Sequence, residues 1–239
     1  MQRFLDGKRA VVTGGTRGIG RAVAKSLAEA GARVAICGRG AEGVARAVDG
    51  LNAETGGTLV SGEAADVSKW HECERFFGTV EKLFGGLDFL INNAGVGVFR
   101  SLSEMDPAEW HRVIDLNLNG VFYCSRLALP LFARRGGGYI IQISSLAGKN
   151  AFAGGAAYNA SKFGVNGFSE AIMQDLRYEN VRVSYVMPGS VDTEFTAGGG
   201  GAGWKIAAED VAQVVVALLQ MPARTLVSRV EMRPSKPKK

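Results

Sequence analysis

The apolar positions of this chain fall into seven short runs, separated by longer stretches in which apolar residues recur at helical spacing. Arg9 to Thr13 and Arg33 to Cys37 are the first two β-rich runs, and the alanine-rich stretch Arg21 to Ala30 between them reads as a helix closed by Gly31. Ala41 to Glu54 predicts a second helix, ended by Gly56-Gly57, and Thr58 to Glu63 a third strand. Lys69 to Phe84 is helical with Ser68 placed to cap it, and Leu87 to Ile91 is a fourth strand. Asp106-Pro107-Ala108-Glu109 combines a capping Asp, a Pro at the first helical position and a Glu three residues on, so a helix starts there and runs towards Arg135. Asn117 and Asn119 interrupt its apolar stripe, which means either a local kink or a satisfied core amide. Tyr139 to Ser144 is the fifth strand. Leu146 to Ala157 is a loop into a helix that runs to about Glu179 and is expected to bury Phe163, Phe168, Ile172 and Leu176. Val181 to Met187, a last helix Glu209 to Leu219 and a strand at Arg229 to Met232 complete the series. Six helices alternating with seven strands predict an α/β fold, a doubly wound parallel sheet with helices on both faces. Its ligand crevice lies beyond the C-terminal ends of the strands.

Bulk properties narrow the reading. At 239 residues the chain suits one large domain, 1–239, with residues 234–239 a short basic tail expected to be solvated. Net charge is +5, and Lys236, Lys238 and Lys239 supply three of the positive charges. No basic stripe with interleaved aromatics marks a nucleic-acid surface, and no apolar run approaches the ~20 residues of a membrane helix. The start, Met1 to Gly7, enters a strand without an apolar signal segment, and a cytoplasmic location is expected. Cys37, Cys73 and Cys124 lack metal or redox spacing and read as buried, reduced thiols; His71 and His111 read as surface residues.

Candidate chemistry sits at the ends of the runs. The first strand breaks into Gly14-Gly15-Thr16-Arg17-Gly18-Ile19-Gly20 and then a helix, the context in which backbone N–H groups approach a pyrophosphate, although the glycines at 14, 18 and 20 depart from G-x-G-x-x-G. Where an acidic residue would bind a ribose 2′-hydroxyl, the second strand ends in Gly38-Arg39, and Arg17 lies in the glycine turn. Two guanidiniums without a nearby carboxylate suit a 2′-phosphate; the alternative is a pair of solvated surface arginines. Asp66-Val67 offers a carboxylate that accepts from an adenine amino group or simply starts a turn. Asn92-Asn93-Ala94-Gly95 at the fourth strand's end has amides able to staple neighbouring loops and small residues that let a flat ring approach. Tyr158 and Lys162, four apart, share one helix face. A cation held beside a phenol favours the phenolate and lowers its pKa from about 10 towards the range where proton transfer works best. Thirteen residues before Tyr158, Ser144-Ser145 ends the fifth strand, placing a hydroxyl where the same substrate oxygen would lie.

Taken together, Thr13-Gly14-x-x-x-Gly18-Ile19-Gly20, Asn92-Asn93-Ala94-Gly95, Asn117, Ser145, Tyr158-x-x-x-Lys162 and Pro188-Gly189 resemble the short-chain dehydrogenase/reductases, over Arg9 to about Val230. The resemblance implies a Rossmann-type sheet and a homo-oligomer, a tetramer or dimer, that interconverts a carbonyl and an alcohol with NADP(H). By it Tyr158 is the general acid, Ser145 polarises the substrate oxygen, and Lys162 binds the nicotinamide ribose and lowers the tyrosine pKa. Asn117 holds a water that relays protons to Lys162, while the backbone of Val191 and the hydroxyl of Thr193 meet the carboxamide. Arg17 and Arg39 resemble the NADP-preferring branch.

At the substrate end, Leu146, Val98, Phe99, Phe152, Phe195 and Trp204 suggest a partly apolar small-molecule partner, and the glycine-rich stretch between Phe195 and Trp204 is either a lid or an inert loop. Two departures weigh against a 3-oxoacyl thioester reductase, the rival within the class. The segment after Thr193 is short and mostly glycine, and the C-terminus lacks paired glycines after the last strand. A non-catalytic NADP-binding regulator is the rival from another class; an intact Ser145, Tyr158 and Lys162 argues against it.

Overall fold

A computed structural model describes residues 3–195, 201 and 203–237. Seven parallel strands, β1 (Arg9–Thr13), β2 (Arg33–Gly38), β3 (Val60–Ala64), β4 (Phe89–Asn92), β5 (Gly138–Ile143), β6 (Val181–Pro188) and β7 (Arg229–Met232), form one sheet in the order β3-β2-β1-β4-β5-β6-β7. Alternate residues of the central strands enter opposite cores: Ala10 and Val12 face one side and Val11 the other, as do Phe89 and Ile91 against Leu90. Burial on both faces is why the strands read as unbroken apolar runs. Helices α1 (Gly18–Glu29), α2 (Ala41–Thr55) and α7 (Ala208–Gln220) close the first core. Helices α3 (Trp70–Phe84) and α5 (Gly120–Ala133), with the end of α6 (Ala156–Leu176), close the second.

The helix expected from Pro107 to Arg135 is two helices. Its capping box forms, with Asp106 accepting from the Ala108 N–H at 2.7 Å and Glu109 reaching back to the Asp106 N–H. After α4 (Pro107–Ile114) the chain makes a π-turn at Asp115–Asn119 before α5 continues. Both readings of Asn117 are met at once, since the wide turn carries its amide inward as a buried, bonded group.

Elsewhere the differences are small and have local causes. α1 begins three residues earlier than expected because Gly18 itself enters the helix. Ser68 does not cap α3; its N–H and hydroxyl go to Asp66 Oδ1, leaving Lys69 at the cap position. Phe163, expected in the core, is 47% exposed on α6, while Leu176 is buried. Cys37, Cys73 and Cys124, far apart in sequence, are free thiols buried together in the second core. In the tail Ser235, Lys236 and Pro237 are exposed, as expected, while Pro234 and Pro237, with Arg233 before them, also border the main cleft. Most of the anticipated glycine lid, 196–200 and 202, and the last two lysines lie outside the described residues.

Candidate active site

Beside β1 the sheet's connections diverge, to β2 on one side and β4 on the other, and a cleft of about 1610 Å³ opens along the C-terminal strand ends. Gly14 (φ +64°) turns the chain sharply out of β1. At Gly20 a Cβ would collide with the Gly14 carbonyl and the Asn93 amide, so only glycine lets α1 start this close to β4. Asn93 Nδ2 donates to the carbonyls of Thr13 (3.0 Å) and Gly14 (3.1 Å), and Thr13 Oγ1 accepts from the N–H groups of Asn93 and Ala94. The amide thus staples the two loops as anticipated from its place at a strand end.

The start of α1 has no side-chain cap and no acidic residue in its first turn, which leaves its N–H groups to an anion. Gly14, Thr16, Arg17, Gly18, Ile19 and Arg39 line the cleft here, with Arg21 and Arg46, which the sequence patterns did not single out. Arg17 does have a nearby carboxylate, contrary to expectation: Glu194, from the loop after β6, is 3.2 Å away. Both groups are at least 70% exposed, so the pair is weak and screened. Arg39 has no ion pair among the described residues.

Val67, Asn93, Ala94 and Gly95 continue the lining, followed across the sheet by Pro188, Gly189, Val191 and Thr193. Gly20 and Asp66 do not line it. Asp66 Oδ1 accepts from the N–H and hydroxyl of Ser68, the turn that was one of its two anticipated uses.

Three reactive groups meet where β5, β6 and α6 converge. Ser145 Oγ accepts from the Ala147 N–H (3.1 Å), contacts the Pro188 carbonyl (3.5 Å) and lies within hydrogen-bonding reach of the Tyr158 hydroxyl. Its neighbour Ser144 turns away and donates to Asn166 Oδ1 at 2.5 Å. Lys162 Nζ is buried and donates to the Ile143 carbonyl at 2.9 Å, 5.8 Å from the centre of the Tyr158 ring. Burial pushes the Tyr158 phenol above its ordinary value, with the bond from Ser145 the opposing influence, and lowers the Lys162 ammonium to about 8. The expectation was that the lysine lowers the phenol; in the free chain burial is the larger influence and raises it, and the lysine's proton is directed at a main-chain carbonyl.

Asn117 serves as a brace. Oδ1 accepts from the Val96 N–H at 2.8 Å, and Nδ2 donates to the Val96 carbonyl (2.9 Å) and Ser161 Oγ (3.1 Å). Every polar position of its side chain except one lone pair is engaged, which ties the loop after β4 to α6 one residue from Lys162. Asn159 acts similarly, donating to the carbonyls of Ala147 (2.6 Å) and Asn150 (3.3 Å). Its sequence signal was only its place between Tyr158 and Lys162. Of the apolar residues anticipated at the substrate end, Phe99, Leu146, Phe152, Phe195 and Trp204 line the cleft and Val98 does not.

A model of the short chain dehydrogenase family matches residues 8–200. Among curated relatives, a 3alpha-hydroxysteroid dehydrogenase of Mediterraneibacter gnavus is 36% identical, across 82% of this chain and 79% of its own. Dehydrogenase/reductase SDR family member 4 of Bos taurus is 38% identical, across 80% and 68%. Among solved structures, a metagenomic short-chain oxidoreductase in complex with NADP superposes with a TM-score of 0.85 at 38% identity, covering 98% of this chain and 99% of that one. The alcohol dehydrogenase of the archaeon Thermococcus sibiricus, complexed with 5-hydroxy-NADP, gives 0.89 at 29%, covering 97% and 99%.

Proposed function

The chain belongs to the short-chain dehydrogenases, and from that premise we propose that it is an NADP(H)-dependent oxidoreductase interconverting a carbonyl and an alcohol. The observation that carries the reading is the meeting of Ser145, Tyr158 and Lys162 at one point of the cleft, below its stapled glycine turn.

The residues present fit a dinucleotide. An uncapped helix start and four cleft-lining arginines, Arg17, Arg21, Arg39 and Arg46, suit phosphates, and Arg17 and Arg39 suit a 2′-phosphate in particular. Val67, Ala94 and Gly95 leave room for flat rings, and Val191 and Thr193 stand where a carboxamide would be held. When bound, the dinucleotide supplies or accepts the hydride.

The chain's own part is the proton. In reduction the Tyr158 hydroxyl donates its proton to the substrate oxygen while the Ser145 hydroxyl hydrogen-bonds that oxygen and polarises the carbonyl. A phenol raised by burial is protonated at neutral pH, which suits the acid role. In oxidation the phenolate is required, and a Lys162 ammonium held beside it offsets part of the burial cost. Asn117 keeps the loop after β4 and α6 in register and so fixes the direction of Lys162. The test is Tyr158→Phe, assayed for NADPH oxidation across ketones and aldehydes: turnover should collapse while NADPH binding persists.

The same reading includes a cytoplasmic homo-oligomer. Supporting the oligomer, Phe122 on α5 and Phe163 on α6 are 46% and 47% exposed. A single species of monomer mass in sedimentation at micromolar concentration would refute this part.

A further inference from the structure

Three loops, from the ends of β4, β5 and β6, bring one phenylalanine each to the catalytic phenol. Phe99 stands edge-on to Tyr158 with ring centres 5.5 Å apart, Phe152 leans on Phe99 at 5.8 Å, and Phe195 lies tilted against Tyr158 at 5.8 Å. The three rings are 40%, 47% and 42% exposed and line the cleft, so their apolar faces border open space beside the hydroxyl.

The arrangement is built into the backbone. At Gly97 an added Cβ would lie 2.8 Å from the Phe99 ring and 2.9 Å from the Phe195 ring, so the missing side chain is what lets two rings share one place. At Gly155 a Cβ would lie 2.7 Å from the Phe152 ring. The Arg100 N–H donates to the Gly154 carbonyl at 2.9 Å, within an isolated bridge between Arg100 and Gly155, tying the Phe99 loop to the start of α6. Asn159 Oδ1 accepts from the Phe152 N–H at 3.4 Å while its amide nitrogen holds the rest of that loop. None of the four rings' side chains carries a charge at neutral pH, and their neighbour Arg100 is turned to Glu109 at 3.6 Å.

We propose that this aromatic box is the substrate subsite and takes a carbonyl bearing an aromatic ring directly on the carbonyl carbon, an aryl ketone or aryl aldehyde. The proposal rests on the hydride-transfer reading above and narrows its substrate. Aromatic rings attract another ring through offset and edge-to-face contact beyond simple area burial, whereas their electron-rich faces repel a carboxylate. A ring attached to the carbonyl sits among Phe99, Phe152 and Phe195 when the carbonyl oxygen reaches Tyr158 and Ser145. A flexible alkyl chain in the same place loses rotamer freedom and gains no ring contact.

The test compares three eight-carbon carbonyls with NADPH and the native protein: acetophenone, octan-2-one and 2-oxooctanoate. Two ring contacts correspond to about tenfold, so kcat/KM for acetophenone should exceed that for octan-2-one by about tenfold or more. Conjugation makes the aryl ketone the less electrophilic of the two, so such an order comes from binding. Phe99→Leu and Phe152→Leu should each shrink the ratio, with NADPH affinity reporting that the variants still fold. A preference for octan-2-one or 2-oxooctanoate, or a ratio unchanged in both variants, overturns the box. If none of the three is turned over, calorimetric titration of acetophenone into the NADPH-saturated protein separates the two readings. Binding that Phe99→Leu abolishes keeps the subsite and sinks the hydride-transfer reading; absence of binding sinks the subsite.

Discussion

Around the glycine turn the cleft is walled by main chain held through close contacts, whereas around Tyr158 it is walled by ring faces left partly bare. At the first end, Gly20 has no room for a methyl group and the Asn93 amide bonds two carbonyls of the neighbouring loop. At the second, the rings come from segments more than 40 residues apart and meet only through the tertiary fold. A ligand whose shape never changes can be met by rigid backbone donors, and these tolerate almost no substitution. A site that distinguishes one substrate from another is made of side chains, each replaceable without collapse of the sheet beneath. The boundary between the ends is Ser145, Tyr158 and Lys162, which must serve both.

Removing the hydroxyl at that boundary should have the largest effect. Tyr158→Phe should lower turnover by about 10²–10⁴ while leaving NADPH affinity and thermal stability close to native, because only the proton donor is lost. Near-native turnover in steady-state assays would place the proton elsewhere.

The rigid end breaks next. Gly20→Ala forces a Cβ into the Gly14 carbonyl and the Asn93 amide, and overpacking of this kind costs about 1–3 kcal/mol. Thermal denaturation should show that loss, and NADPH affinity should fall about tenfold or more. By contrast Gly78→Ala, on α3 away from the cleft and with nothing within 4 Å of an added Cβ, should leave NADPH affinity unchanged and should not lower stability.

The charge at the same end is proposed to select the cofactor. Charge-assisted bonds contribute about 1.5–3 kcal/mol each, so Arg39→Ala should weaken NADPH about tenfold or more and hardly touch NADH. Equal losses for both cofactors in fluorescence titrations would mean Arg39 does not meet the 2′-phosphate.

A pH titration sharpens the boundary itself. With burial lowering Lys162 to about 8, the free protein carries the ammonium below that pH and loses it above. If the cofactor favours the charged lysine, NADPH affinity should fall as pH rises through about 8, by up to tenfold per pH unit until the bound lysine also titrates. Lys162→Met should flatten the profile; a slope that survives the substitution assigns it to another group.

The smallest effect is expected where the ends touch. Glu194→Gln removes a competitor for Arg17 in a largely exposed pair, so NADPH affinity should rise, by about twofold at low salt and less at high salt. Weaker binding would mean that Glu194 holds its loop in the productive place.

Seven strands, the order of the helices, the capping box at Asp106 and the shared helix face of Tyr158 and Lys162 could all be read along the chain, because they depend on backbone geometry within a few residues. The glycine turn belongs with them, since its signal was the break from strand to helix. What lies between distant segments could not be read this way. Spacing put Lys162 on the right face, yet its ammonium is directed to the Ile143 carbonyl, nineteen residues away, and the phenol is raised rather than lowered. The first is set by the packing of α6 on β5 and the second by burial, and both belong to the packed surroundings rather than to neighbours in sequence. The carboxylate beside Arg17 arrives from Glu194, 177 residues on, and the rings around Tyr158 from three loops. Local periodicity therefore determined where the proposed catalytic groups stand, and long-range packing decided what surrounds them, because proximity across a sheet is set by strand order and leaves no period in the chain.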